Sequence, residues 1–221
     1  MMHARPIKPL CGPPKPICEE APAKNSRGEQ TRQLLLDAAF HEIHLNGYRA
    51  ASLSDILRAS GCAKGSLYHH FPDKHALGIA AVSSHIDAYI EELWLAPLRD
   101  TRDPLRVIRQ IIERYMNGEA GIDINIGCPL NNLCQEMSAI DENFRLYLDG
   151  VLSRWRDTIE AALKRGQKAG NVCADLDPTA TAALIVAIHQ GTAGTAKTAR
   201  NREIAQRCGR AMFHYLDQLR P

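Results

Sequence analysis

Side chains that donate hydrogen bonds to anions and to base edges are concentrated in one short segment, Lys64 to His70 (KGSLYHH). Lysine, serine and tyrosine commonly contact DNA phosphates, and the N–H groups at a helix start add further donors. Gly65 has no Cβ atom, so its backbone can approach a ligand closely. The chemistry that this segment offers is recognition of a nucleic-acid backbone and groove.

The flanking residues predict two short helices joined by a tight turn. Ser52 and Asp55 have capping-box spacing at the start of the first helix, and Gly61 ends it. The second helix is expected from about Ala63 to His70 and ends before Pro72. This layout is a helix-turn-helix, whose second helix enters the major groove. The residues expected to contact DNA are Ser52, Lys64, Gly65, Ser66, Tyr68, His69, His70 and Lys74.

Composition limits the class of protein. The chain has 221 residues, of which 45% are hydrophobic, and a net charge of +2. This composition suits a globular protein with one large or two small domains. No apolar run reaches the roughly 18–20 residues of a membrane span, and the N-terminus lacks the apolar core of a secretory signal. We therefore expect a soluble, cytoplasmic protein without a membrane partner.

Residues 1–25 contain six of the twelve prolines. Proline removes a backbone donor and restricts the chain, so this stretch is predicted to be a disordered extension.

Beyond residue 25 the pattern is helical. Leu35, Ala39 and Ile43 recur every four residues and predict one apolar helix face. Asp73 is expected to cap a fourth helix that continues to about Leu95. Further helices are expected near 104–118, 129–138, 141–168, 178–199 and 202–219. No stretch shows sustained strand alternation, so the predicted fold class is all-α.

Residues 31–77 resemble the N-terminal domain of TetR-type transcriptional regulators. The resemblance rests on the turn Asn46–Tyr48, the helix start Ser52–Ile56, and the run Lys64–Phe71 followed by Asp73–Lys74. These motifs agree in turn, helix and spacing, so they identify the family specifically. The remaining residues match that family in length and helical character.

The resemblance implies an all-α homodimer with two domains in each protomer. A three-helix helix-turn-helix DNA-binding domain is expected over residues 26–72, and a larger helical domain for effector binding and dimerisation over residues 73–221. Such proteins usually repress transcription from a palindromic operator and leave it when a small molecule binds. The implied partners are double-stranded operator DNA, a small-molecule effector and a second copy. The resemblance implies no enzymatic activity, cofactor or metal.

Polar groups within apolar helices indicate a binding cavity in the second domain, because a buried polar group needs a partner. His189 and Gln190, for example, interrupt the apolar run AALIVAIHQGTAG. A hydrogen bond inside the core is the alternative explanation for each of them. The candidate effector residues are Trp94, Tyr115, Met116, Cys128, Asn131, Asn132, Gln135, Trp155, His189 and Gln190.

Small residues in the last two predicted helices permit close helix packing. Together with the residues that recur along the last helix, they could form a four-helix seam between two copies. Ordinary packing inside one chain is the alternative, and the family resemblance favours the seam. The predicted interface residues are Ala187, Gly191, Gly194, Ile204, Cys208, Met212, Tyr215 and Leu219.

Cys128 precedes Pro129 at a predicted helix start, where the helix dipole would lower the thiol pKa. Two further hypotheses follow. One is a repressor whose effector is an electrophile or oxidant that acts on Cys128. The other is a thiol-dependent enzyme that uses Cys128 with His189. The enzyme hypothesis leaves the helix-turn-helix unexplained.

Overall fold

The computed structural model describes residues 27–221, so the predicted extension over residues 1–25 lies outside it. Within the described residues the chain is helical, and no strand is present. The all-α fold class is therefore confirmed. The helices are α1 Arg27–Asn46, α2 Leu53–Ser60, α3 Lys64–His70, α4 Lys74–Ile90, α5 Ala96–Arg99, α6 Pro104–Asn117, α7 Pro129–Met137, α8 Glu142–Lys168, α9 Pro178–Ala199 and α10 Arg202–Gln218.

Side-chain caps begin several helices where the sequence predicts them. The hydroxyl of Ser52 accepts the N–H of Asp55 at the start of α2, at 3.1 Å. The carboxylates of Asp73, Asp103 and Asp177 likewise accept backbone N–H groups at the starts of α4, α6 and α9. Each cap satisfies a donor that the first helical turn leaves without an intrahelical partner. The predicted starts of these helices are confirmed.

The fourth helix departs from the prediction. The α-helix ends at Ile90, continues as a π-helical turn over Glu91–Leu95, and resumes as α5. Pro97 supplies the physical reason, because it has no N–H and its ring crowds the carbonyl of Leu93 four residues earlier. Trp94 lies in this wider turn and is fully buried.

The helix-turn-helix is packed on the inner faces of its three helices. α1 buries the predicted stripe of Leu35, Ala39 and Ile43. α3 buries Leu67, and Phe71 just beyond it is also buried. Helix α1 packs along α4, so the helix-turn-helix is attached to the second domain through one continuous core.

Neighbouring long helices pack against one another in the second domain. α8 packs along α9, while α10 packs against both α6 and α9. Gly209 of α10 lies against Met116 of α6, whose side chain fills the space that a Cβ at residue 209 would take. Within residues 27–221, every helix is too short or too polar to cross a bilayer.

Candidate DNA-reading surface and internal cavities

Helix α3 presents a polar face outward while its apolar face is buried. Leu67 has no exposed surface, whereas Tyr68, the next residue, is 48% exposed. The predicted DNA contacts on the exposed face are Lys64, Gly65, Tyr68 and His69, with Ser66 and His70 half-buried at its edge. The Nζ of Lys64 lies 5.9 Å from the ring centre of Tyr68, so both side chains reach the same patch. The helix-turn-helix thus brings its donors together on one accessible surface.

Nothing within the protein requires a glycine at residue 65. Its φ lies outside the left-handed region, and nothing lies within 4 Å of the place where a Cβ would stand. Gly61, by contrast, has a φ of 66° and ends α2 in a left-handed turn. A side chain at residue 65 is therefore compatible with the fold, and contact of Gly65 with DNA remains a prediction.

Replacing Gly65 with alanine should separate folding from binding. We expect Gly65→Ala to fold normally and to gain about 0.5–1 kcal/mol of stability from its better helix propensity. We expect its affinity for operator DNA to fall about tenfold or more, which is about 1.4 kcal/mol, because the methyl group holds α3 away from the DNA. Thermal unfolding and a gel shift measure the two effects. Unchanged affinity would show that α3 does not approach DNA at this residue.

Two other predicted DNA contacts already bond within the protein. The hydroxyl of Ser52 accepts from the N–H of Asp55 and donates to its carboxylate at 2.6 Å. The Nζ of Lys74 donates to the carbonyl of Arg49 at 3.2 Å and lies 4.9 Å from the ring centre of Tyr48. Burial lowers the pKa of Lys74. DNA contacts by Ser52 and Lys74 remain predictions, and they would have to coexist with these bonds.

A carboxylate of the second domain holds the turn between α1 and α2. The two side-chain oxygens of Glu136 in α7 accept the backbone N–H groups of Tyr48 at 2.9 Å and Arg49 at 2.8 Å. Gly47, at a φ of 83°, precedes them, and a Cβ there would lie 2.9 Å from the carboxylate. Glycine is therefore needed at residue 47 both for its backbone angle and for space. We call this contact the Glu136 clasp.

A buried imidazole makes a second connection between the domains. The Nε2 of His44, near the end of α1, lies 2.8 Å from the carbonyl oxygen of Gly127, so Nε2–H donates. Burial is the main cause of a lowered pKa for His44, and the nearby ammonium of Lys197 lowers it further. Gly127 lies just before α7, so this connection and the Glu136 clasp attach both ends of one short segment to the DNA-reading domain.

The structure divides the predicted effector residues between two cavities, which corrects the expectation of one pocket. An open cleft of about 910 Å³ lies between the end of α1, α7 and α9. A cavity of about 30 Å³ lies between α6, α9, α10 and the π-helical turn. The cleft is lined by Asn131, Asn132, Gln135 and Gln190; the small cavity by Trp94, Tyr115 and His189. Met116, Cys128 and Trp155 line neither.

Amide groups cross-link the walls of the open cleft. The Nδ2 of Asn131 donates to the carbonyl of Gln190 at 3.2 Å, and the Nζ of Lys197 donates to Oδ1 of Asn132 at 2.9 Å. The side-chain amide of Gln190 is shielded from solvent and has no hydrogen-bond partner in residues 27–221. Residues of both domains therefore line the cleft, and polar side chains connect its walls.

Aromatic rings surround His189 near the small cavity. Its ring centre lies 5.3 Å from that of Trp94, 5.2 Å from that of Trp155 and 4.9 Å from that of Tyr115. The two indole rings are 4.8 Å apart. Burial lowers the pKa of His189 to about 4, so the imidazole is neutral near pH 7. We call these four residues the His189 cluster.

The predicted activation of Cys128 is wrong. The side chain is almost fully buried, and burial raises the pKa of the thiol. The backbone N–H groups of Leu130 and Asn131 favour the thiolate, but desolvation outweighs them. The described residues include no hydrogen bond between Cys128 and His189, so the pair required for a thiol enzyme is not formed.

The predicted dimer residues fall into three groups. Met212 and Leu219 are buried within the protomer's own core, which corrects their assignment to the interface. Accessible positions on α9 are Ala187 and Gly191, with Gly194 half-buried beside them. On α10, Ile204, Cys208 and Tyr215 are half-buried. A contact with a second copy remains a prediction for these six residues.

Two domain families match the chain. Residues 35–81 match the family described as bacterial regulatory proteins, tetR family, and residues 104–212 match the tetracyclin repressor-like C-terminal domain. The first match contains α2 and α3, and the second contains most of the residues that line the two cavities.

Relatives agree with these matches. The transcriptional regulator AcuR of Cereibacter sphaeroides is 32% identical over 150 residues, which are 68% of this chain and 68% of AcuR. The A-factor receptor protein of Streptomyces griseus is 28% identical over 176 residues, which are 76% of this chain and 56% of the receptor. A crystal structure of the regulatory protein TetR from Rhodobacter sphaeroides has a TM-score of 0.73 at 29% identity and covers 83% of this chain and 97% of that chain.

Proposed function

Because the chain belongs to the TetR family of bacterial regulatory proteins, we propose that it is a transcriptional repressor released from its operator by a small molecule. In this proposal two copies bind a palindromic operator, so that the twofold axis of the dimer matches that of the DNA. Residues 26–72 read the DNA, and residues 73–221 bind the effector and the second copy. A repressor must reach the chromosome to bind its operator, so the proposal includes a cytoplasmic location.

The exposed face of α3 is the observation that carries this proposal. Lys64, Tyr68 and His69 lie on the accessible side of a short helix whose opposite side is buried by Leu67. Their donors suit phosphates, and an aromatic ring stacks on sugars or bases. The helix offers no arginine for guanine and no asparagine or glutamine for adenine. We therefore expect DNA shape and apolar contacts to contribute to the choice of operator.

The connections around α7 support effector control. α7 borders the open cleft, contacts α8 and α9, and carries the Glu136 clasp to the turn before α2. A small molecule that shifts α7 would therefore change the position of the helix-turn-helix. Among the relatives, the A-factor receptor protein is a receptor by name.

A gel shift with DNA from upstream of the protein's own gene tests the repressor proposal. We expect a specific complex whose affinity falls steeply between about 50 and 200 mM salt, because phosphate contacts release counterions. A scrambled fragment of equal length is the control. Equal affinity for both fragments, or no complex with DNA upstream of this or neighbouring genes, would contradict the proposal.

Burial of Cys128 leads to a prediction against electrophile sensing. We expect brief treatment of the folded protein with iodoacetamide to leave Cys128 unmodified, because its thiol is desolvated and protonated. Cys62, Cys173 and Cys208 are only partly buried and should react faster. Mass spectrometry of peptides measures the modification, with urea-unfolded protein as the positive control. Early modification of Cys128, with loss of DNA binding that Cys128→Ser prevents, would restore the electrophile hypothesis.

A further inference from the structure

The His189 cluster contains an excess of hydrogen-bond donors. The Nε1–H groups of Trp94 and Trp155 are buried and have no partner in residues 27–221. An indole nitrogen donates and cannot accept. The hydroxyl of Tyr89, whose side chain lies near Tyr115, is also buried without a partner there. A buried polar group without a partner destabilises the fold, so three in one region call for a complementary acceptor.

One further donor belongs to a residue that lines the cavity. Tyr115 lines it, and burial raises the pKa of its phenol, which stays protonated at physiological pH. Among the lining residues, Trp94 and Tyr115 thus offer an N–H and an O–H. A molecule that fits these walls must present a hydrogen-bond acceptor to them.

The walls of the cavity carry no permanent charge. Its lining residues include no Asp, Glu, Lys or Arg. His189, also in the wall, is neutral because burial lowers its pKa to about 4. An ion that entered would lose its hydration without gaining a charged partner, and this is costly in an apolar interior. The complementary molecule is therefore uncharged.

The size of the cavity limits the molecule further. Its volume is about 30 Å³, so only a small molecule can enter. Ile112, Ile188 and Met212 form much of the remaining wall. Methionine is unbranched and flexible, so the side chain of Met212 can change rotamer and admit a slightly larger molecule. The occupant is therefore compact and has a short apolar part.

We propose that the cavity beside His189 binds a compact, uncharged molecule with a carbonyl-type oxygen, and that this oxygen accepts a hydrogen bond from Nε1–H of Trp94. The apolar part of the molecule lies against Ile112, Ile188 and Met212. The inference rests on the proposed function, because it names the chemical class of the effector. It assigns the effector to this cavity, whose wall includes α9, and α9 contacts α7.

Intrinsic fluorescence measures this binding directly, because Trp94 and Trp155 are the two tryptophans of the chain and both belong to the His189 cluster. The probes are methyl ethyl ketone and ethyl acetate. Three molecules of similar size are controls. Propionate has a negative charge, propylammonium has a positive charge, and pentane has no hydrogen-bond acceptor. We expect saturable fluorescence changes with the ketone and the ester, and about tenfold or weaker affinity for all three controls. Equal or tighter binding of propionate, propylammonium or pentane would overturn the proposal.

A variant tests the named donor. Trp94→Phe keeps an aromatic ring, removes Nε1–H and leaves Trp155 as the reporter. We expect it to bind the ketone about five- to tenfold more weakly, which is the effect of one hydrogen bond. Gln135→Ala, in the open cleft, should bind the ketone normally. Unchanged ketone affinity in a folded Trp94→Phe protein would overturn the assignment of the hydrogen-bond donor. If that variant does not fold, the unaltered chain is tested instead, and equal affinity for the ketone and pentane would overturn the need for an acceptor oxygen.

A parallel gel shift distinguishes this inference from the repressor proposal. Operator binding without any ketone or ester response would overturn the effector class and leave the repressor intact. A ketone response in a protein that binds no DNA would overturn the repressor and leave the cavity assignment intact. Release of the operator complex by the ketone or the ester would support both.

Discussion

Combined replacement of Lys64 and Tyr68 by alanine should lower affinity for the operator about a hundredfold. Each side chain is expected to make one DNA contact worth about 1.4 kcal/mol, which is a factor of about ten. Both side chains are exposed and make no contact that the core requires. The midpoint of thermal unfolding should therefore stay within a few degrees of that of the unaltered protein. A gel shift and circular dichroism measure the two properties.

Arg58→Ala is the matched control for that experiment. Arg58 belongs to α2 of the same domain, its side chain is 79% exposed, and it pairs with Asp55 on the same helix. The change removes the same charge as Lys64→Ala but leaves the face of α3 intact. We expect at most about a threefold loss of affinity, because the charge lies outside the proposed contact surface. An equal loss in both proteins would show that overall charge, and not α3, determines binding.

Breaking the Glu136 clasp should have the largest effect on the connection between the domains. In Glu136→Ala the N–H groups of Tyr48 and Arg49 lose their carboxylate acceptor. Hydrogen bonds to a charged group contribute about 1.5–3 kcal/mol each, and water compensates part of this at a half-buried site. We expect the free energy of unfolding to fall by about 2 kcal/mol. The amides of residues 48 and 49 should exchange with solvent much faster, which hydrogen exchange measures.

Two variants on α7 act as controls for the clasp. Gln135→Ala changes the exposed neighbour of Glu136 and should leave both the stability and the amide exchange unchanged. Glu136→Gln keeps one acceptor oxygen but no charge, so its loss of stability should be intermediate. The account predicts that Glu136→Ala also weakens the response of DNA binding to the effector. Unchanged exchange of the two amides in Glu136→Ala would show that the clasp does not form in solution.

The helix boundaries were predictable because their causes are local. A capping carboxylate followed by proline, as at Asp103–Pro104 and Asp177–Pro178, determines a helix start within a few residues. The π-helical turn before Pro97 was not predicted, because a proline near a helix end is equally compatible with a helix that stops before it.

The DNA-reading face was predictable for the same reason. Turn, cap and α3 lie within about twenty residues of each other, so their spacing defines the motif. Glu136 was missed because its partners lie 87 and 88 residues earlier in the chain. Nothing in the local sequence distinguishes its carboxylate from any other on a helix surface.

The effector and interface residues depend on how the helices pack. His189 and Gln190 are adjacent in the sequence, yet they face different cavities because successive residues on a helix point about 100° apart. The stripe containing Met212 and Leu219 correctly indicates an apolar face of α10, but periodicity cannot tell which element covers it. Burial of Cys128 likewise comes from tertiary packing, and it reverses the pKa shift expected from the helix start alone.

Selection of bound sequences from a pool of random double-stranded oligonucleotides tests the central claim most directly. The account predicts enrichment of one palindromic site whose half-sites are about one helical turn, roughly 10 base pairs, apart. It also predicts that the protein carrying Lys64→Ala and Tyr68→Ala enriches no such site. Failure of the unaltered chain to enrich any sequence, or enrichment of the same site by the altered protein, would contradict the claim that α3 reads DNA.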